Sequence, residues 1–321
     1  MRCSQTMPQI IRYGDLQPCK TAFIDAHTPG SDQKENFTII GGGVSESPDQ
    51  HVHINVPHGF NIGAAGQPPK CRNSLHDHHT AEVFFVLSGR WRFFWGRKGN
   101  AGEVILEKGD IFNIPTGIFR GFENIGTDYG MIMAILGGDD AGGGVMWAPE
   151  VLEDAIAHGL ILGDDGKLYD TKKNESLPKG VSPMKAMPEA ELALRNEPTP
   201  ADVLPNHVAR YLDLVALADR QPAKVIGETA ILRDRPGFEV DFMTAKSSIT
   251  CKQKHACRSV LMPVKGHWRI EWGHGHATIA PGDTMSLPEH LPYSVVPSMS
   301  GEAAIYRVMA TDDPAGETWK G

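Results

Sequence analysis

The chain has 321 residues, 40% of them hydrophobic and 22% charged, with a formal net charge of −8. That length predicts two domains, and the apolar content suffices for real cores. The acidic balance argues against nucleic acid and anionic membrane as partners, because both reward clustered Lys and Arg.

The N-terminus MRCSQTMPQIIRYGD has no apolar signal region, and no window nears the roughly eighteen apolar residues of a spanning helix. Five scattered cysteines (Cys3, Cys19, Cys71, Cys251, Cys257) make no CxxC pair and read as reduced thiols of a cytoplasmic protein. TAFIDA, FTIIGGG and HVHINV are strand-like and are expected to extend a first barrel. VFFVLSG and WRFFWG are β-branched and aromatic runs bounded by glycine, EVILEKGDIFNIP alternates around a turn, and FENIG and MIMAILGG follow. APEVLEDAIAHGL, with Pro149 near its start and Gly159 near its end, reads as a helix. GDDGKLYDTKKNESLPKG is a polar connector, and MPEAELALRN and PADVLPNHVARYLDLVALAD carry helical spacing. HATIAPGDTMSLP and AIYRVMA close the chain as strands. The glycine runs at Gly41 and Gly142 lack the strand-to-helix setting of a phosphate loop. With 35 glycines and 23 prolines, the composition is that of short strands joined by many turns.

An internal repeat fixes the organisation. Gly59–Gly96 and Gly237–Gly273 can be laid over each other, sharing G-x-W-R-x-x-W-G: Gly89, Trp91, Arg92, Trp95 and Gly96 against Gly266, Trp268, Arg269, Trp272 and Gly273. Each copy then reaches a Gly-Asp turn (Gly109-Asp110, Gly282-Asp283) and a proline, Pro115 or Pro288. A unit of this size is a duplicated domain rather than a solenoid repeat. The repeated tryptophans read as packing groups rather than ligand platforms.

In the first copy His76 and His78 flank one residue and are followed by Glu82 and Gly89; then come Gly109, Pro115, Gly117, Arg120 and Asn124. These spacings resemble the two signatures of the cupin family, with arginine at Arg120 where the family has a histidine. The resemblance covers both copies but not the stretch between them. It implies an all-β chain of two tandem cupin barrels (double-stranded β-helix, or jelly-roll) joined by a helical linker. The expected division is residues 1–145 as a barrel with a candidate metal site, 146–220 as linker, and 221–321 as a degenerate barrel.

Strand parity supports the pattern independently. His76, His78 and Glu82 share a face, while His79 points away. Two imidazoles and a carboxylate suit non-haem Fe2+ foremost, and also Mn2+, Ni2+, Co2+ or Zn2+, leaving positions open to water, substrate or dioxygen. Arginine is always cationic and cannot ligate. Arg120 is therefore expected inside the barrel, either holding the carboxylate of an anionic substrate or pairing with Glu82 in a site that has lost its metal. His51, His53 and His58 lie just upstream, and one of them could supply the missing imidazole. The second copy has Gln253, His255 and Ser259 at the ligand positions, His290 in place of glycine and Tyr293 in place of histidine, a poor metal site. His274 and His276 read as solvent-facing.

By analogy with gentisate dioxygenase-like bicupins, the reading is a cytoplasmic, homo-oligomeric metalloenzyme. It would be a dioxygenase of a small aromatic or hydroxylated acid, with no nucleic-acid or membrane partner. Metal-dependent isomerisation, lyase chemistry or decarboxylation, and non-catalytic binding or sensing of a small molecule, are the alternatives.

Overall fold

A computed structural model describes residues 7–80, 82–114, 117–139, 144–233 and 237–311. Cys3, Pro115 and Gly142, named above, lie outside the described residues.

The VFFVL run is apolar throughout because its strand, Glu82–Ser88, is buried on both faces. Phe84 and Val86 point into the first barrel, while Val83, Phe85 and Leu87 point out of it into a second core. The matching strand of the second copy, Ser259–Lys265, does the same. Leu261 faces its own barrel, and Val260, Met262 and Val264 face that shared core. The molecule is thus two β-barrels packed back to back through their larger sheets. Phe85 meets Tyr306 with ring centroids 4.7 Å apart, and Phe60 meets Phe238 at 6.0 Å.

The large sheet of the first barrel orders Val208–Ala209, Ile111–Ile114, Glu82–Ser88, Gly130–Gly137, Phe60–Gln67, Glu35–Ile40 and Val52–Ile54. Its small sheet orders Met146–Trp147, Arg72–Asp77, Arg120–Asn124, Trp91–Trp95 and Gly102–Leu106. The second barrel repeats this plan with Gln9–Ile11, Thr284–Leu287, Ser259–Lys265, Ala304–Ala310, Phe238–Thr244 and Ala223–Ile226. Its small sheet is Ile249–Gln253, Tyr293–Pro297, Trp268–Trp272 and Gly275–Ile279. The repeat read from the sequence is therefore structural. Gly89 and Gly266 occupy equivalent turns, both at positive φ (87° and 70°). Trp91 and Trp268 are fully buried and donate to Ser88 O and Lys265 O.

The N-terminal segment departs from expectation. Glu35–Ile40 and Val52–Ile54 extend the first barrel, but Gln9–Ile11 pairs with Thr284–Leu287 of the second. Reciprocally Val208–Ala209, which leads into the second barrel, pairs with Ile111–Ile114 of the first. Each exchanged strand ends in the same latch. Arg12 Nη1 and Tyr13 N bind the two oxygens of Asp283 at 2.8 and 3.0 Å. Arg210 Nη1 and Tyr211 N bind those of Asp110, both at 2.8 Å.

Between the barrels lie the helices Pro149–Ala157, Glu189–Leu192, Pro200–His207 and Tyr211–Leu217. The stretch read as a polar connector holds a hairpin, Leu160–Leu162 with Leu168–Asp170. No helix among the described residues is long and apolar enough to cross a membrane.

Candidate metal centre

His76 is the last residue but one of the strand Arg72–Asp77 of the small sheet, His78 follows that strand, and Glu82 opens the strand Glu82–Ser88 of the large one. The three residues thus line one cavity from two sheets rather than from one continuous strand. Their ligand atoms all lie within 4.8 Å of one another. His76 Nε2 is 3.8 Å and His78 Nε2 3.7 Å from Glu82 Oε2. Among the described residues this is the one cluster of three metal-ligating side chains.

The donor set fits a divalent metal in type and orientation. His76 Nδ1 is 2.8 Å from Ser74 O, and His78 Nδ1 is 2.8 Å from Gly144 O. A carbonyl can only accept, so each Nδ1 carries the proton and each Nε2 turns its lone pair to the site. Burial pushes the His78 imidazole down to about 3. Burial alone would raise Glu82, but its surroundings, with the Arg120 guanidinium as the fixed cation, outweigh it and hold the carboxyl down at about 2. Neutral imidazoles and an ionised carboxylate are the states that ligate.

Arg120 opens the strand Arg120–Asn124, in register with His76 and Trp95, and is 1% exposed. Its side chain points inward, as the spacing predicts, but its guanidinium is engaged by protein carboxylates. Nη2 donates to Glu82 Oε2 at 2.9 Å, and Nη1 to Asp77 Oδ1 at 2.8 Å. The expected alternatives were a substrate carboxylate or Glu82; the geometry has Glu82, held by one nitrogen only. Asp77 is itself 1% exposed, and its strand is paired at its edge with Met146–Trp147. Arg195 of the linker reaches the other Asp77 oxygen at 2.9 Å. No local pattern signals this contact, since its partner lies 118 residues away.

The upstream histidines do not complete the centre. His51 is exposed. His53 binds Thr38 O and Gln17 N. His58 binds Val56 O and, across the two barrels, Ser286 Oγ at 2.7 Å. His79, His274 and His276 are exposed, as expected.

The cavity over the three ligands has a volume of about 50 Å³. Phe84, Phe122, Ala134 and Leu136 give it apolar walls, and Trp147 and Lys34 also line it. The Trp147 ring lies 5.6 Å from that of His76.

In the second barrel His255 and Gln253 face Arg307, and the His255 ring lies 5.8 Å from that of Tyr293, instead of forming a ligand set. Arg307 Nη1 lies 3.2 Å from His255 Nε2, and Arg307 pairs with Asp241 at 2.5 Å. His290 takes the left-handed backbone (φ 59°) that Gly117 takes in the first barrel (φ 83°).

Residues 65–136 match the family model "Cupin domain". A tryptophan-to-tyrosine variant of Bacillus subtilis oxalate decarboxylase superposes with TM-score 0.55 at 11% identity, over 96% of this chain and 78% of that one. The formate complex of Lactobacillus farciminis oxalate decarboxylase gives 0.53 at 12%, over 96% and 88%. Salicylate 1,2-dioxygenase from Pseudaminobacter salicylatoxidans gives 0.54 at 13%, over 95% and 84%. No curated protein matches the sequence.

Proposed function

We propose that this chain, which folds as two tandem cupin barrels with a cupin domain in the first, is a metal-dependent enzyme of small organic acids. His76, His78 and Glu82 are its metal ligands and Arg120 is the residue that positions Glu82. The observation that carries the reading is the convergence of three ligand atoms within 4.8 Å, both imidazoles turned by backbone carbonyls. A bound Fe2+ or Mn2+ would supply a Lewis acid with positions open to substrate and, for Fe2+, to dioxygen. The protein's own part is to orient an acid against that group and to exclude water with Phe84, Phe122 and Leu136.

Oxygen-dependent cleavage or oxidation of a hydroxylated acid is the lead activity, and the narrow cavity favours a short acid over a broad aromatic one. Oxidative and non-oxidative chemistry separate on one measurement. Oxygen uptake on adding acids to the Fe2+-loaded protein supports the lead, and carbon dioxide release without oxygen supports decarboxylation.

The Arg120–Glu82 bond favours a second reading, a metal-free binding protein. Elemental analysis of the purified protein decides between them. Arg120→His should raise metal affinity roughly tenfold or more by removing a cation and adding a ligand. An unchanged affinity would place Arg120 outside the centre.

The cytoplasm and a homo-oligomeric state belong to this proposal too. The exposed Leu212, Val215 and Leu217 on one linker helix give a surface for self-association.

A further inference from the structure

The cavity has a second charged wall that the ligand set does not use. Lys34 lines it and is 4% exposed. Behind it sits Asp25, 0% exposed, which pairs with the ammonium through one oxygen and accepts from Ser74 N through the other. Asn73 Oδ1 accepts a second proton of Lys34 at 2.8 Å. An ammonium carries three protons, and among the described residues only these two oxygens accept from it. Its remaining neighbours are ring faces, Phe23 at 5.0 Å and Trp147 at 5.9 Å, and both rings line the same cavity. The Asn73 amide nitrogen lies 3.2 Å from His76 Nδ1, so one side chain touches both Lys34 and His76.

The charges point the same way. Asp25, Asp77 and Glu82 cancel Lys34, Arg120 and Arg195, all joined in the pairs described above. A divalent cation would add two positive charges to a buried site that is otherwise balanced, and an unmatched interior charge is strongly unfavourable. Glu46, beside Asp25 and Lys34 and raised to about 7 by burial, supplies at neutral pH only part of one negative charge. An anionic ligand restores the balance, and the open proton of Lys34 is where its far end can be held.

We propose that Lys34 anchors the carboxylate of a small organic acid, bound between its ammonium and the His76–His78–Glu82 group. This rests on the metal reading above and gives Lys34 the part that the spacing had suggested for Arg120. It makes the substrate class a short acid with one end at the metal and the other at Lys34.

The test uses the full chain loaded with Mn2+, with elemental analysis of every variant before ligand is added. Acetate and oxalate are the probes, and acetamide is the neutral control, each followed by titration calorimetry. Lys34→Met alone strands Asp25, so the working variant is the neutral pair Asp25→Asn/Lys34→Met. It should keep wild-type Mn2+ content and bind the acids at least roughly tenfold more weakly, as expected for a lost charge-assisted bond. Asp25→Asn alone removes the competing carboxylate and should bind them severalfold more tightly, an effect of opposite sign that a purely structural role would not produce. Unchanged acid affinity in the double variant with metal intact, or acetamide binding as well as acetate, overturns the anchor while sparing the metal reading. Wild-type protein that takes up no Mn2+ overturns the metal reading and the anchor together, and is recognised at the elemental analysis.

Discussion

The two barrels share strand order and register, yet where the first has a cavity over its His76–His78–Glu82 cluster the second has an ion pair. In the first, Gly63 and Ala134 face each other across neighbouring strands, and both line the cavity. At the same register of the second stand Asp241 and Arg307, also paired across neighbouring strands. The third strand agrees, Ala134 lying beside Phe84 and Arg307 beside Leu261. Two small residues leave room above the ligands, whereas an ion pair fills the corresponding space. Its guanidinium reaches His255 and Gln253, the positions equivalent to His78 and His76. The second barrel therefore differs in more than its ligand residues, because the volume a metal and substrate would need is occupied by charge. Restoring its ligands alone would not restore a site.

The largest test of this asymmetry is metal content. His76→Ala should abolish stoichiometric binding and His255→Ala should leave it untouched, read by elemental analysis of the folded proteins. Equal loss in both would break the comparison. Next comes the plug itself. Arg307→Ala strands a 4% exposed Asp241 and should destabilise the chain by about 3–5 kcal/mol in urea unfolding. The double variant Asp241→Gly/Arg307→Ala reproduces the first barrel's pair and removes both charges. It should be less damaging than Arg307→Ala alone, with a cavity term as the residue. A double variant as unstable as the single one would show that the pair acts by volume rather than charge.

Much of this was legible in the sequence, and the exceptions have physical reasons. The G-x-W-R-x-x-W-G repeat located equivalent strands because packing tryptophans and left-handed glycines are demanded locally. The spacing singled out His76, His78 and Glu82 as a set, and their ligand atoms do converge, although His76 and Glu82 lie on different strands and His78 on neither. Asp77 escaped because one of its ion-pair partners, Arg195, lies far along the chain. Lys34 escaped because a lysine before a strand ordinarily faces water, and only the tertiary placement of Asp25 and Asn73 keeps it inside. Asp241 and Arg307 carry no motif, and their meaning appears only when the two registers are laid side by side.

The seam between the barrels should be acid-sensitive. His58, which bridges to Ser286, is held down at about 4, chiefly by burial, with Arg258 lowering it further and the Val56 carbonyl and Asp139 opposing. A base whose folded value is depressed gains its proton more readily when unfolded. Stability should thus be full above about pH 6.5 and fall as pH drops toward 4, by roughly 3 kcal/mol from this residue. His58→Gln keeps a hydrogen-bonding side chain and should flatten that part of the pH–stability curve. An unchanged slope would move the acid sensitivity elsewhere, His207 being the next group held low by burial.

The smallest effect concerns the latches, where the two halves should behave alike. Arg12 with Asp283 and Arg210 with Asp110 have the same geometry, each followed by a tyrosine whose ring lies over the glycine of the opposite barrel's Gly-Asp turn. Tyr13 covers Gly282 and Tyr211 covers Gly109, so closely that a Cβ on either glycine would meet the ring at 2.5 or 2.3 Å. Both arginines are nearly half exposed, so solvent screens the pairs and each Arg→Ala should lower stability by only about 0.5–1 kcal/mol. The glycines are the stronger probe. Both lie at positive φ (87° for Gly109, 93° for Gly282), so Gly109→Ala and Gly282→Ala should each add backbone strain to the displacement of a tyrosine. If the exchanged strands tie the barrels symmetrically, the two glycine variants will lose similar stability by urea unfolding. A loss confined to Gly109→Ala would mean that the linker strand Val208–Ala209 alone fastens the halves, with the N-terminal strand lying on the second barrel without holding it.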